Sequence, residues 1–92
     1  MIEMTDEQRE ASELVATLRS QLRAAEGRVK SLSKAIGLRM LKAKGSSPMA
    51  VACLMATMGA DLRSAISDEA LLREVLRGAE AVNNDLWAPP HD

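Results

Sequence analysis

The apolar residues of the first half of the chain follow the repeat of an α-helix. Thr5-Asp6-Glu7-Gln8 has the form of a capping box, in which a threonine and a glutamine satisfy each other's backbone N–H groups. Apolar residues then recur every three or four positions. These residues are Ala11, Leu14, Leu18, Leu22, Ala25, Val29, Leu32, Ile36 and Met40. The pattern predicts one helix over residues 5–44.

Two leucines that follow Gly37 do not fit this apolar stripe. Leu38 and Leu41 fall on the face opposite Ile36 and Met40. The helix therefore either kinks at Gly37 or is contacted from two sides.

The second half opens with sixteen residues that carry no charge, from Gly45 to Ala60. Ser47 before Pro48 indicates a helix start, because serine caps the free N–H groups and proline fits the first turn. The apolar face that follows predicts a helix over residues 48–66, and it consists of Val51, Leu54, Met55, Met58, Leu62 and Ile66.

A second capping sequence, Ser67-Asp68-Glu69, follows this helix. It either opens a third helix over residues 68–83 or kinks a continuous one. The apolar stripe of this segment contains Leu71, Leu72, Val75, Leu76, Ala79 and Val82. Asn83-Asn84-Asp85 and Pro89-Pro90 are then predicted to leave a non-helical tail over 84–92.

The length of the first helix determines the predicted architecture. Forty helical residues span ~60 Å, whereas a compact chain of this size has a radius of gyration of only ~12 Å. We therefore expect an all-α fold, a single domain over 1–92 that forms a long antiparallel helical hairpin whose second arm is either straight or kinked near Ser67. Opposed residue numbers should total roughly 92, which places Leu22 near Ala70 and Leu71.

A hairpin of two helices leaves apolar surface uncovered, so we expect it to self-associate into a multi-helix bundle, most simply a homodimer. The residues predicted to mediate self-association are Leu14, Leu18, Leu22, Met55 and Met58.

Charge divides the chain into three blocks. Residues 1–16 hold five acids and one base, residues 17–45 one acid and eight bases, and residues 46–92 seven acids and three bases. Within one hairpin the acidic start of the chain is expected to lie beside acidic residues of the second arm. The basic block is a candidate surface for an acidic protein partner or for nucleic acid, or simply a solvated face. Its candidate binding residues are Arg19, Arg23, Arg28, Lys30, Lys34 and Arg39.

Residues capable of catalysis are scarce. The chain has one histidine, His91 in the Pro-Pro tail, and one cysteine, Cys53 in the apolar stretch. Because no nucleophile–base pair, metal-ligand cluster or phosphate-binding glycine loop can be assembled, we expect no enzyme activity, cofactor, metal or small-molecule substrate. Cys53 is predicted to be a buried structural thiol.

Location and partners follow from the same features. The uncharged run is shorter than the ~20 residues that cross a bilayer, so we expect no membrane span or membrane partner and a cytoplasmic location. Trp87, the only aromatic residue, either anchors a partner or folds back over the open end of the bundle.

Taken together, these patterns predict a small protein–protein interaction module that acts through apolar helix faces, as an adaptor, chaperone-like subunit or inhibitor. The alternative is a nucleic-acid-binding protein that uses the basic block.

Overall fold

A computed structural model describes residues 4–88, which form two long helices joined by a short turn. Helix α1 spans Asp6–Lys42 and helix α2 spans Pro48–Trp87, with 37 and 40 residues. Residues near the start of α1 contact residues near the end of α2, so the helices are antiparallel. The predicted all-α helical hairpin is confirmed. It is a rod of 70 × 21 × 16 Å with a radius of gyration of 20.6 Å.

The local signals at the helix starts operate as predicted. The Thr5 hydroxyl accepts from the Gln8 backbone N–H at 3.1 Å, and the Gln8 side chain accepts from the Thr5 N–H at 3.0 Å. The Ser47 hydroxyl accepts from the Ala50 N–H at 3.3 Å, beside Pro48 in the first turn of α2. Gly45 turns the chain with a φ of 92°, in the left-handed region that favours glycine. Helix α1 ends at Lys42 rather than 44 and continues without a break through Gly37.

Helix α2 differs from the predicted second arm. It runs unbroken through Ser67, so the predicted boundary between helices 48–66 and 68–83 is wrong, and it continues to Trp87 rather than stopping at Asn83. Contacts with α1 support the last turns: the Gln8 side chain donates to the Leu86 carbonyl at 2.9 Å, and the Ser12 hydroxyl donates to the Asn83 side chain at 3.2 Å. Of the predicted tail, residues 89–92 lie outside the described part of the chain.

The core lies in the half of the hairpin that contains the chain ends. Val15, Leu18 and Leu76 are buried together, and the partly buried residues that pack on them are Leu22, Leu72 and Ala79. The numbers of opposed residues total 94 for Gln8 and Leu86, 99 for Arg19 and Glu80, and 96 for Arg28 and Asp68, so the register differs by a few residues from the predicted total of roughly 92. Nearer the turn, Ile36 and Ala65 are the buried residues of the described chain.

Candidate interaction surfaces

The apolar stripe near the end of α2 is two rows of residues with different roles. Leu72, Leu76 and Ala79 form the inner row and pack on α1. The outer row faces solvent, with exposed fractions of 66% for Leu71, 47% for Val75 and 57% for Val82. The residues of each row are three, four or seven positions apart, which is the spacing of a helix seam that packs on a neighbouring helix. Helix α2 thus presents one packed seam and one unpacked seam.

Helix α1 contributes to the same side of the hairpin as the outer row. Arg28 and Asp68 form an ion pair across the two helices at 3.5 Å, which defines one flank. Residues seven positions apart, or about two turns, lie on the same side of a helix. Two such steps lead from Arg28 back to Leu14 on α1 and from Asp68 forward to Val82 on α2, so these two apolar residues share this flank. Leu14 is 51% exposed.

On this flank, the exposed residues from Leu14 to Ala24 and from Leu71 to Val82 carry no charge. We call this surface the terminal flank; it consists of Leu14, Thr17, Gln21 and Ala24 on α1 and Leu71, Val75, Gly78 and Val82 on α2, all exposed. Charged side chains of the same segments lie on the other flank, where Arg19 meets Glu80 at 3.3 Å and Arg73 meets Glu26 at 3.6 Å. Glu10 and Asp85, seven residues from Thr17 and Gly78, and the Arg28–Asp68 pair border the terminal flank, so it is an uncharged, partly apolar patch between charged residues.

The residues predicted to self-associate are placed in different environments. Leu14 belongs to the terminal flank and Met55 is exposed nearer the turn, while Met58 is partly covered. Leu18 is buried between α1 and α2, and Leu22 packs against the same core, so both serve the hairpin itself. The predicted apolar stripe did not distinguish Leu71, Val75 and Val82 from the inner row, although their spacing of four and seven residues already defines a second seam.

The basic residues are likewise divided by the structure. Arg19 pairs with Glu80 and Arg28 with Asp68, so part of the basic block is matched by acids of α2. The acidic start of α1 does lie beside the end of α2, and the side chains that make these contacts, Gln8, Ser12 and Asn83, are neutral. Within residues 4–88, no ion pair involves the remaining predicted binding residues, which are Arg23, Lys30, Lys34 and Arg39.

Three further predictions concern single residues. The expected burial of Cys53 is wrong: it is a free, exposed thiol, because the surface of α2 on which it lies packs on no other helix. Trp87 is the last residue of α2 and is exposed. His91 lies outside the described residues.

The surface offers shallow grooves and one long apolar helix. A groove of about 580 Å³, open to solvent, is lined by Arg39, Lys42, Ala43, Ala50 and Leu54. Within residues 4–88, no group of three His, Cys, Asp or Glu side chains is placed to hold a metal ion. Helix α2 contains an 18-residue window that is long and apolar enough to cross a membrane by length and composition alone, and 6% of that window is buried.

Comparisons with family models, with curated proteins and with solved structures found no match to this chain.

Proposed function

We propose that this protein is a small, non-enzymatic protein–protein interaction module of the cytoplasm whose hairpins pair through the terminal flank into a homodimer. The observation that carries the proposal is the second, unpacked seam of α2, in which Leu71, Val75 and Val82 are about half exposed or more. Such a dimer is a scaffold on which an adaptor, chaperone-like subunit or small inhibitor can present its remaining faces.

The terminal flank has the form of an isologous interface. In a two-fold dimer the same patch lies on both subunits, so any charge on it meets its own copy. The eight residues of the terminal flank carry none, and an uncharged patch can meet itself without like-charge repulsion. The apolar residues repeat along both helices, which allows four helices to pack side by side as in a bundle.

The dimensions of the hairpin also fit a dimer. A stable interface buries ~800 Å² on each partner. The long side of this rod, 70 Å by 16 Å, offers roughly 1,100 Å², so a contact along most of its length reaches the usual size. The terminal flank forms the centre of such an interface.

The test is the mass of the protein in solution. We expect the wild-type chain to be a dimer at micromolar concentration by sedimentation equilibrium. Leu71→Glu combined with Val82→Glu should raise the dissociation constant at least ~100-fold, because each glutamate would have to be buried without a partner. The matched control is Ala70→Glu with Ala81→Glu, which adds the same charges one position away, on exposed residues outside the terminal flank.

The controls should remain dimeric, and circular dichroism should show unchanged helix content in all variants. A wild-type monomer at micromolar concentration contradicts the proposal. Equal weakening by both pairs of glutamates contradicts the assignment of the terminal flank, since net charge alone would then explain the effect.

Nucleic-acid binding is the alternative, and it rests on the unmatched part of the basic block. Arg23, Lys30 and Lys34 are exposed on α1, and they could contact phosphates. Such binding predicts an affinity that falls steeply with salt and is abolished when these three residues are changed to Glu. The ion pairs of Arg19 and Arg28 with acids of α2 reduce the charge available for this role. We therefore favour the protein–protein function.

A further inference from the structure

The half of the hairpin next to the turn has a charge pattern unlike that of the rest of the chain. Residues 27–60, here called the turn half, contain six basic residues and no acid. Arg28 is paired with Asp68 outside this segment. The other five bases make no ion pair with any residue of the described range 4–88; they are Lys30, Lys34, Arg39, Lys42 and Lys44. Residues 27–60 themselves therefore carry only positive charge, while the nearest acids of α2 are Asp61, Asp68 and Glu69, in the part of α2 that the Arg28–Asp68 pair places level with the start of this segment.

The same segment exposes its largest apolar side chains. Of residues 27–60, Ile36 alone is buried. The two large apolar residues with the greatest exposure in the described chain are Met49, at 76%, and Leu41, at 69%, on either side of the turn. Leu38, Met40 and Met55 are exposed as well. Cations and exposed apolar side chains thus alternate around one tip of the rod, for example at Leu41, Lys42 and Lys44.

We propose that the turn half binds the surface of a membrane that contains anionic phospholipids, with Leu41 and Met49 entering the headgroup region. The combination of apolar side chains with basic residues and no acids is the composition of protein segments that lie in such an interface. Lipid headgroups supply the negative charge, and the acyl boundary accepts the apolar side chains. Long lysine side chains can reach the phosphates while their methylene groups stay in the apolar layer.

Other occupants match only part of this surface. Nucleic acid would match the charge, but it offers little for the exposed leucine and methionine side chains, and the turn half contains no aromatic residue for base stacking. A second copy packed in register through the terminal flank would place its own cationic turn half beside that of the first copy, so that like charges would face each other. A head-to-tail copy could bring acidic residues from the start of α1, so it is one outcome of the test.

This inference concerns attachment to a membrane surface, and it does not rest on the proposed dimer. It departs from our expectation of no membrane partner, which was drawn from the length of the uncharged run. That length bears on spanning a bilayer, whereas surface binding depends on exposure and charge, and these become visible only in the folded hairpin. Leu41 and Met49 lie beside the turn and outside the terminal flank, so a dimer centred on the terminal flank leaves this tip free to contact a membrane.

The experiment is co-sedimentation of the full chain with vesicles. We expect binding to vesicles of equal amounts of phosphatidylcholine and phosphatidylglycerol, little binding to pure phosphatidylcholine, and a loss of binding as salt is raised. Lys30→Gln with Lys34→Gln should weaken binding about 25-fold, since one basic residue near an anionic surface contributes about fivefold. The matched control, Arg9→Gln with Arg77→Gln, removes the same charge from the other half.

A second pair of variants tests the apolar contribution. Leu41→Gln should weaken vesicle binding about tenfold by removing an exposed apolar side chain from the headgroup region. Met4→Gln, a change of an exposed residue at the opposite end, should leave binding unchanged. Because Cys53 is the only cysteine and is exposed, an environment-sensitive dye on it should shift to the blue only with anionic vesicles.

Three results would overturn the inference. One is the absence of binding to anionic vesicles, and another is binding that Lys30→Gln with Lys34→Gln reduces no more than the control pair does. The third is a rise in the dimer dissociation constant on Leu41→Gln without vesicles, which would assign the tip to a head-to-tail copy. Failure of the proposed dimer is detected separately, by sedimentation equilibrium without lipid, so the two proposals can fail independently.

Discussion

The two halves of the hairpin are built differently although the same two helices run through both. In the half with the chain ends, Val15, Leu18 and Leu76 form a buried cluster. Ion pairs and hydrogen bonds connect the helices around it. In the turn half, the side-chain hydrogen bonds within the described chain are local, as from Thr57 to the Cys53 carbonyl. Helix content therefore does not show which half of the hairpin supplies the stabilising contacts between the helices.

This difference indicates which half of the hairpin contributes most of the free energy of folding. Helices in proteins are stabilised mainly by packing of an apolar face rather than by intrinsic propensity. The end half supplies that packing from its own chain. The turn half carries the covalent turn, buries Ile36 alone and exposes several large apolar side chains, so its own packing contributes less.

The largest expected effect is the loss of a leucine from the end half. Leu18→Ala should lower the free energy of unfolding by about 3 kcal/mol, because Leu18 is buried and its removal leaves a cavity. Leu38→Ala, the same change at an exposed position of the turn half, should cost less than about 0.5 kcal/mol. Urea denaturation at one fixed protein concentration measures both. Equal losses would contradict the contrast between the halves.

An intermediate effect is expected from two glycines of the turn half. A methyl group at Gly37 would meet no atom within 4 Å, so Gly37→Ala should raise the free energy of unfolding by about 0.5–1 kcal/mol through better helix propensity. Gly45 has a positive φ, and Gly45→Ala should destabilise by about 1 kcal/mol. Thermal denaturation should show a higher melting temperature for Gly37→Ala and a lower melting temperature for Gly45→Ala than for the wild-type chain. A destabilising Gly37→Ala would indicate that another backbone packs against this position in the assembled protein.

The smallest expected effect concerns the ion pairs that connect the helices. Arg19 and Glu80 are both about half exposed, and exposed pairs contribute little because water screens them. A double-mutant cycle of Arg19→Gln and Glu80→Gln should give a coupling energy of about 0.5 kcal/mol or less. A coupling above about 1 kcal/mol would mean that polar contacts, rather than the leucine cluster, hold the end half together.

Local signals in the sequence were sufficient for part of this fold. The caps at Thr5 and Ser47 depend on neighbouring residues only, and each was predicted at its position. Ser67-Asp68-Glu69 resembles the same kind of signal, but Asp68 faces Arg28 and the helix continues through it. A cap sequence thus predicts a helix start only where the backbone is free to leave the helix.

The candidate surfaces required the three-dimensional structure because they depend on register. Leu71 and Leu72 are neighbours in sequence, yet one is exposed and the other packs on the core. A rotation of α2 by about 100° about its axis, the angle between successive helix residues, would exchange their roles, and composition alone cannot fix how the two helices are rotated and aligned. The ion pairs of Arg19 and Arg28 with α2 depend on the same register. The acid-free character of residues 27–60, by contrast, was already visible in the sequence.

One side chain links the two ends of the hairpin in a way that bears on its dynamics. Gln8 accepts from the first backbone N–H of the α1 cap and donates to a carbonyl in the last turn of α2. When either helix end frays, the amide loses one of its two bonds and holds the other end less firmly. Opening at the two chain ends is therefore cooperative. Amide exchange at Gln8 and in the last turn of α2 should slow or accelerate together, and a ligand that orders one terminus would also order the other.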